Sequence, residues 1–91
     1  MKFTWSEDKA ARNQSKHNVS FEEAATAFAD ALSLTIDDPL HSDKEERFIL
    51  IGMSARQRLL IVVHTEQEEA IRLISARLAT AHERKQYEQG T

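Results

Sequence analysis

Ninety-one residues suffice for one domain with a thin core and no more. Without cysteine the chain can build neither disulfides nor thiolate metal sites, and its longest apolar runs, residues 48–53 and 59–63, are far too short to span a bilayer. The formal net charge of −3 is not the basic footprint of a typical nucleic-acid-binding domain.

That charge is unevenly spread. Residues 1–30 hold four basic and five acidic side chains, residues 31–54 two and five, and residues 55–91 six and five. In the last third all the basic groups but Lys85 are arginines, namely Arg56, Arg58, Arg72, Arg77 and Arg84. A polyanion would meet a local arginine-bearing face, not a uniformly basic protein. The N-terminal stretch MKFTWSEDK lacks the apolar segment of a secretory signal, so the expected setting is the cytoplasm.

Phe3-Thr4-Trp5 predicts a short first strand. Ser6 offers a capping oxygen, with Glu7 and Asp8 where the helix dipole favours anions, so residues 7–16 read as a polar helix that stops near His17-Asn18. Ser20-Phe21-Glu22-Glu23 reads as a capping box that opens a second helix, with Val19 and Ala24 as its staple. Phe21, Ala24, Ala25, Phe28 and Leu32 form its apolar stripe, and the alanines let it lie close to a sheet.

From Leu32 the period changes to two, which predicts a half-buried strand through Leu34 and Ile36. Residues 37–46 form a charged loop containing Pro39 and His41. Three β-rich runs follow, at 47–54, 58–65 and 70–77, and then Thr80-Ala81-His82-Glu83, a capping box for a C-terminal helix over 81–89. The predicted order is β-α-α-β-β-β-β-α, an α+β domain built on an antiparallel meander. The central strands are apolar on both sides and helix two covers one, so the C-terminal helix, the loop or another chain must cover the other.

Several side chains could carry chemistry. With Gln67-Glu68 as a two-residue turn, Arg58 would face Arg77 across the hairpin, either as solvated strand ends or as a shared phosphate grip. Arg72 interrupts an apolar run and needs a partner, with Glu46 and Glu66 as candidates, or a role at a phosphate. On an ideal strand Arg72 and Arg77 point to opposite faces, and only a bulge between them would let both serve one site. His64, at the end of an apolar run, is the natural candidate for proton transfer or else a half-buried packing residue. Trp5 and Tyr87 could stack on bases or pack the chain ends. The histidine spacings fit no metal motif, and neither a glycine-rich phosphate loop nor a nucleophile elbow occurs.

A resemblance adds to this reading. Phe3-Thr4-Trp5, Lys9, Asn13, Lys16-His17 and Val19-Ser20-Phe21-Glu22-Glu23-Ala24 resemble the N-terminal half of the BrnT family. His41-Ser42, Glu45-Glu46-Arg47-Phe48, Ile51-Gly52-Met53-Ser54, Arg58-Leu59-Leu60, His64-Thr65-Glu66 and Ile71-Arg72-Leu73-Ile74-Ser75-Ala76-Arg77 are similar to its C-terminal half. The most specific part is Ile74-Ser75-Ala76-Arg77 with Ala79-Thr80, Glu83-Arg84 and Tyr87.

The resemblance implies a single RelE/ParE-like domain over residues 1–91. It implies a ribonuclease toxin that stops translation and is neutralised, in a homo- or hetero-oligomer, by a BrnA-type antitoxin through which alone it meets DNA. The implied cleavage is metal-independent attack of a ribose 2′-hydroxyl on the adjacent phosphate, without cofactor. Arg72 and Arg77 would bind phosphate, His64 would act as acid or base, and Arg58, Arg84 and Lys85 would guide RNA. Members usually carry glycine at the position of Asn18, Arg-Gly at Gln67-Glu68, and basic residues near Leu78, Ala81 and His82. The thinner positive charge after Arg77 motivates the alternative, a non-catalytic module that docks an antitoxin and tunes operon repression.

Overall fold

The structure, a computed structural model, describes residues 1–38 and 45–90. Pro39 and His41 lie outside these residues. Strand β1 is Lys2–Thr4, and helix α1 is Glu7–His17. Ser6 Oγ accepts from the Lys9 N–H at the start of α1, and Asn18 stops the helix at φ 57°, a left-handed value that explains the glycine expected there.

Helix α2 is shorter than predicted, Phe21–Thr26, and tightens into a 3₁₀ turn over Ala27–Ala29. The chain leaves this turn at Asp30, whose carboxylate accepts from the N–H groups of Leu32 and Met53 and pins the exit onto the sheet. Only half of the first capping box forms. Ser20 Oγ accepts from the Glu23 N–H at 3.0 Å, but the Glu23 carboxylate goes to Ser54 and Arg58. A charged guanidinium wins that carboxylate over a neutral amide.

Strands β2 (Leu34–Asp37), β3 (Phe48–Met53), β4 (Leu59–Gln67) and β5 (Ala70–Leu78) form the predicted antiparallel meander, and helix α3 is Ala81–Gln89. The sheet order is β1-β5-β4-β3-β2, and β1 lies parallel to β5. The sheet is therefore mixed, which corrects the all-antiparallel expectation. A three-residue strand carries no periodic signal of its direction, and the α1–α2 excursion is long enough to return it either way.

Two cores flank the sheet. Val19, Phe21, Ala24 and Ala27 pack on Leu50, Leu60, Val62, Leu73 and Ala76 beneath α2. A Cβ at Gly52 would stand 2.8 Å from the Ala27 carbonyl, so glycine there admits the 3₁₀ turn onto the sheet. On the other side Ile51, Leu59 and Ile61 pack against Tyr87 of α3. That cover is partial, since Ile36 remains 49% exposed.

Beyond the end of β1, the free edge of β5 is sealed by one side chain. Asn13 is buried, its Oδ1 accepts from the Ala76 N–H at 3.0 Å, and its Nδ2 donates to the carbonyls of Ala76 at 2.8 Å and Val19 at 2.9 Å. The amide thus stands in for a strand partner and ties α1 to the sheet.

Candidate functional site

The β4–β5 turn falls at Glu68-Glu69, with Glu68 at φ 44°, because Gln67 pairs with Ala70. The register therefore differs from the expected one, and neither placement of the turn has a glycine to mark it. Farther along, His64 pairs with Leu73 but Val63 pairs with Ser75, so Ile74 is an extra residue on β5. Such a bulge flips the inside–outside alternation after it.

Its consequence is geometric. Arg72 pairs with Thr65, Ser75 with Val63 and Arg77 with Ile61, alternate positions of β4. All three therefore share one face of β5, the face on which α3 packs.

Both arginines are engaged by carboxylates. Arg72 Nη2 donates to both oxygens of Glu45 at 2.7 and 2.8 Å, instead of Glu46 or Glu66. Arg77 forms a two-pronged pair with Glu83, Nη1 to Oε1 and Nη2 to Oε2, each 2.8 Å. Glu83 Oε1 also accepts from the Thr80 N–H, completing the predicted capping box of α3. Hydrogen bonds from Arg77, helped by Thr80 and opposed by burial, hold the Glu83 carboxyl down at about 2, while the same pair raises Arg77 above its ordinary value. Sequence reading found Glu83 as a cap but missed its second role, since only the register reveals that Arg77 lies within its reach.

Arg58 does not face Arg77. It precedes β4 and forms a forked pair with the buried Glu23, with Nη2 also donating to the Asn18 carbonyl. The Arg58 hydrogen bond outweighs burial and lowers the Glu23 carboxyl. Arg56 approaches the same carboxylate at 3.6 Å. Arg58 thus pins the β3–β4 turn to α2.

His64 lies on the other side of the sheet from Arg72, 1% exposed. Its ring stacks edge-on to Phe28 at 4.8 Å and tilts against Phe48 at 5.9 Å. Burial pushes the imidazole below its ordinary value, against weaker opposing effects of the Val62 carbonyl and Glu66. Arg84 and Lys85 are exposed on α3. Trp5 packs edge-on to Phe21, and the Tyr87 hydroxyl donates to Asp30 at 2.6 Å, so each aromatic anchors its own side of the sheet. Among the described residues no three acidic, histidine or cysteine side chains gather as a metal site, and no helix is long and apolar enough to cross a membrane.

Comparison with known proteins gives this architecture a family. The profile described as "Ribonuclease toxin, BrnT, of type II toxin-antitoxin system" matches residues 5–83. The crystal structure of the Brucella abortus ribonuclease toxin BrnT superposes with a TM-score of 0.65 at 25% identity, covering 88% of this chain and 97% of that one. No curated protein sequence matches. The chain's class is thus that of small α+β toxins from type II toxin–antitoxin systems. It belongs to the BrnT ribonuclease toxin family.

Proposed function

We propose that this chain, as the toxin of its pair, cleaves RNA by metal-independent attack of a ribose 2′-hydroxyl on the adjacent phosphate: the O2′–P bond of a 2′,3′-cyclic phosphate forms as the P–O5′ bond breaks, the 2′ proton passes to water, and the leaving 5′ oxygen takes a proton from water. Arg72 and Arg77 grip that phosphate and stabilise the charge that develops on it. Cleavage in the cytoplasm stops translation, and a BrnA-type antitoxin silences the toxin and carries the complex to DNA. Similarity of the fold to the RelE/ParE toxins belongs to the same reading.

The observation that carries it is the bulge at Ile74, which gives Arg72, Ser75 and Arg77 a common face. Their ion pairs do not exhaust them. A guanidinium has five N–H donors, and Nε and Nη1 of Arg72 and Nε of Arg77 make no hydrogen bond among the described residues. Each arginine can hold a carboxylate and a phosphate together. Arg84 and Lys85 extend the positive surface along α3. A proton-transfer role for His64 needs its ring uncovered, whereas Arg72 and Arg77 already share the opposite face of the sheet.

The alternative, a non-catalytic module that docks an antitoxin and tunes repression, is favoured by one observation. Glu45 and Glu83 cancel much of the charge a phosphate would seek. Induction of the chain alone in bacteria, beside an Arg77→Ala copy, separates the two. Growth arrest with degraded mRNA, relieved by the substitution, supports the enzyme. Unimpaired growth at confirmed soluble expression defeats it and leaves docking.

A further inference from the structure

The arginines of β5 and the β3–β4 turn are all paired with carboxylates, whereas, among the described residues, three basic side chains of α1 are not. Lys9, Arg12 and Lys16 make no ion pair among the described residues. At 100° per residue their side chains fall within an arc of about 60°, and the row is about 10 Å long. Arg12 and Lys16 are exposed and Lys9 is half-buried, and the row borders the strand edge. With His17, Ile74 and Ser75 they line a groove of about 270 Å³ where α1 meets β5, and the helix's acidic first-turn residues, Glu7 and Asp8, do not line it. The groove is built, because Asn13 fixes its floor by three hydrogen bonds to the strand edge and the α1–α2 connection.

We infer that this groove binds the phosphate backbone of single-stranded RNA, as an extension of the cleavage face. The inference rests on the ribonuclease reading but names a surface that reading does not use. Continuity argues for it. Ser75 lines the groove and lies between Arg72 and Arg77 on the same face of β5, so a strand crossing the arginines passes onto α1. Charge argues for it too. Three cations with no carboxylate partner among the described residues attract a polyanion without first breaking an internal pair, which Arg72 and Arg77 must share. The groove thus offsets an overall charge of −3 at the one place where RNA would enter.

The test is binding of a fluorescein-labelled, 2′-O-methylated uridine dodecamer, which cannot be cut by 2′-hydroxyl attack, measured by anisotropy across salt concentrations. The proteins are the wild-type chain and the Lys9→Gln/Arg12→Gln/Lys16→Gln variant. Three single-strand phosphate contacts contribute about 2 to the log–log salt slope. The variant should lose that slope and weaken ten- to a hundredfold at 0.1 M salt, on the order expected from counterion release. If the triple variant fails to fold, the Arg12→Gln/Lys16→Gln pair, both at exposed positions, should lose about two-thirds of the effect.

An unchanged slope in a folded variant overturns the groove, and if wild type still cleaves unmodified RNA the ribonuclease reading survives without it. Groove-dependent binding without cleavage keeps the groove and removes the enzyme. Binding to polyglutamate of equal charge more tightly than to the oligonucleotide overturns RNA as the ligand and assigns the groove to an acidic protein segment.

Discussion

Asn13 offers the sharpest test of how the α1 edge is held. Replacing it with alanine strands the N–H and C=O of Ala76 and removes a donor from the Val19 carbonyl. Each buried orphan costs about 1–3 kcal/mol. Water entering from the adjoining groove recovers part of that, so the net expectation is about 2–4 kcal/mol. A chain of this length has on the order of 5–13 kcal/mol in total, so the loss is a large fraction. Asn13→Asp sharpens the argument. The new carboxylate can still accept from the Ala76 N–H, but it turns a second anionic oxygen toward two carbonyls within 2.9 Å of the present nitrogen. At neutral pH it should cost more than alanine. Its folded pKa must lie above the unfolded value, so its deficit should shrink as pH falls and the protonated oxygen donates to one carbonyl. Urea unfolding of the three proteins at pH 7 and pH 5 reads both effects. An alanine variant within about 1 kcal/mol of wild type, or an aspartate variant as stable as wild type at pH 7, would refute this account of the edge.

Other consequences are as direct. Depressed carboxyls at Glu23, Asp30 and Glu83 mean that stability is full above their unfolded values and is lost as pH falls through the folded ones. For Glu83, with 4.5 falling to about 2, the ceiling is roughly 3 kcal/mol, and screening at the half-exposed Arg77 reduces it to about 1–2 kcal/mol, which acid titration of wild type against Glu83→Gln should show. The lowered His64 imidazole acts earlier. Below about pH 6.5 the unfolded chain takes a proton that the folded one refuses, so stability starts to decline there, and His64→Leu should flatten that phase in thermal melts while leaving the fold intact. If the same variant keeps full RNA cleavage, His64 is excluded as the proton carrier. Gly52→Ala should lower stability by about 1–3 kcal/mol through the clash with the Ala27 carbonyl, read as a shifted urea midpoint.

Much of the fold was legible because local signals acted alone. The αL stop at Asn18, the cap at Thr80 and the period change after Leu32 each depend on residues within a few positions of one another. The parallel seat of β1 was not, since three residues cannot announce a partner 68 positions away, as Lys2 is from Ala70. The site was legible in its residue types and opaque in its pairing. Arg72 and Arg77 stand out in any reading of β5, but whether they share a face turns on one unmarked bulge at Ile74, and a one-residue error in the turn set Arg58 opposite the wrong neighbour. The α1 groove escaped notice because helical lysines and arginines normally signal nothing beyond solvation. Only the strand laid against them makes the row concave.

Glu83 belongs to a helix and to a strand at once. Its carboxylate closes the first turn of α3 and holds Arg77, while Tyr87 moors the same helix to Asp30 farther along. A ligand that draws Arg77 away therefore unsettles the start of α3, and by reciprocity anything that steadies α3 makes Arg77 harder to recruit. A protein clasping that short helix would restrain the arginine from a distance, with no need to occupy the surface where a nucleotide would lie.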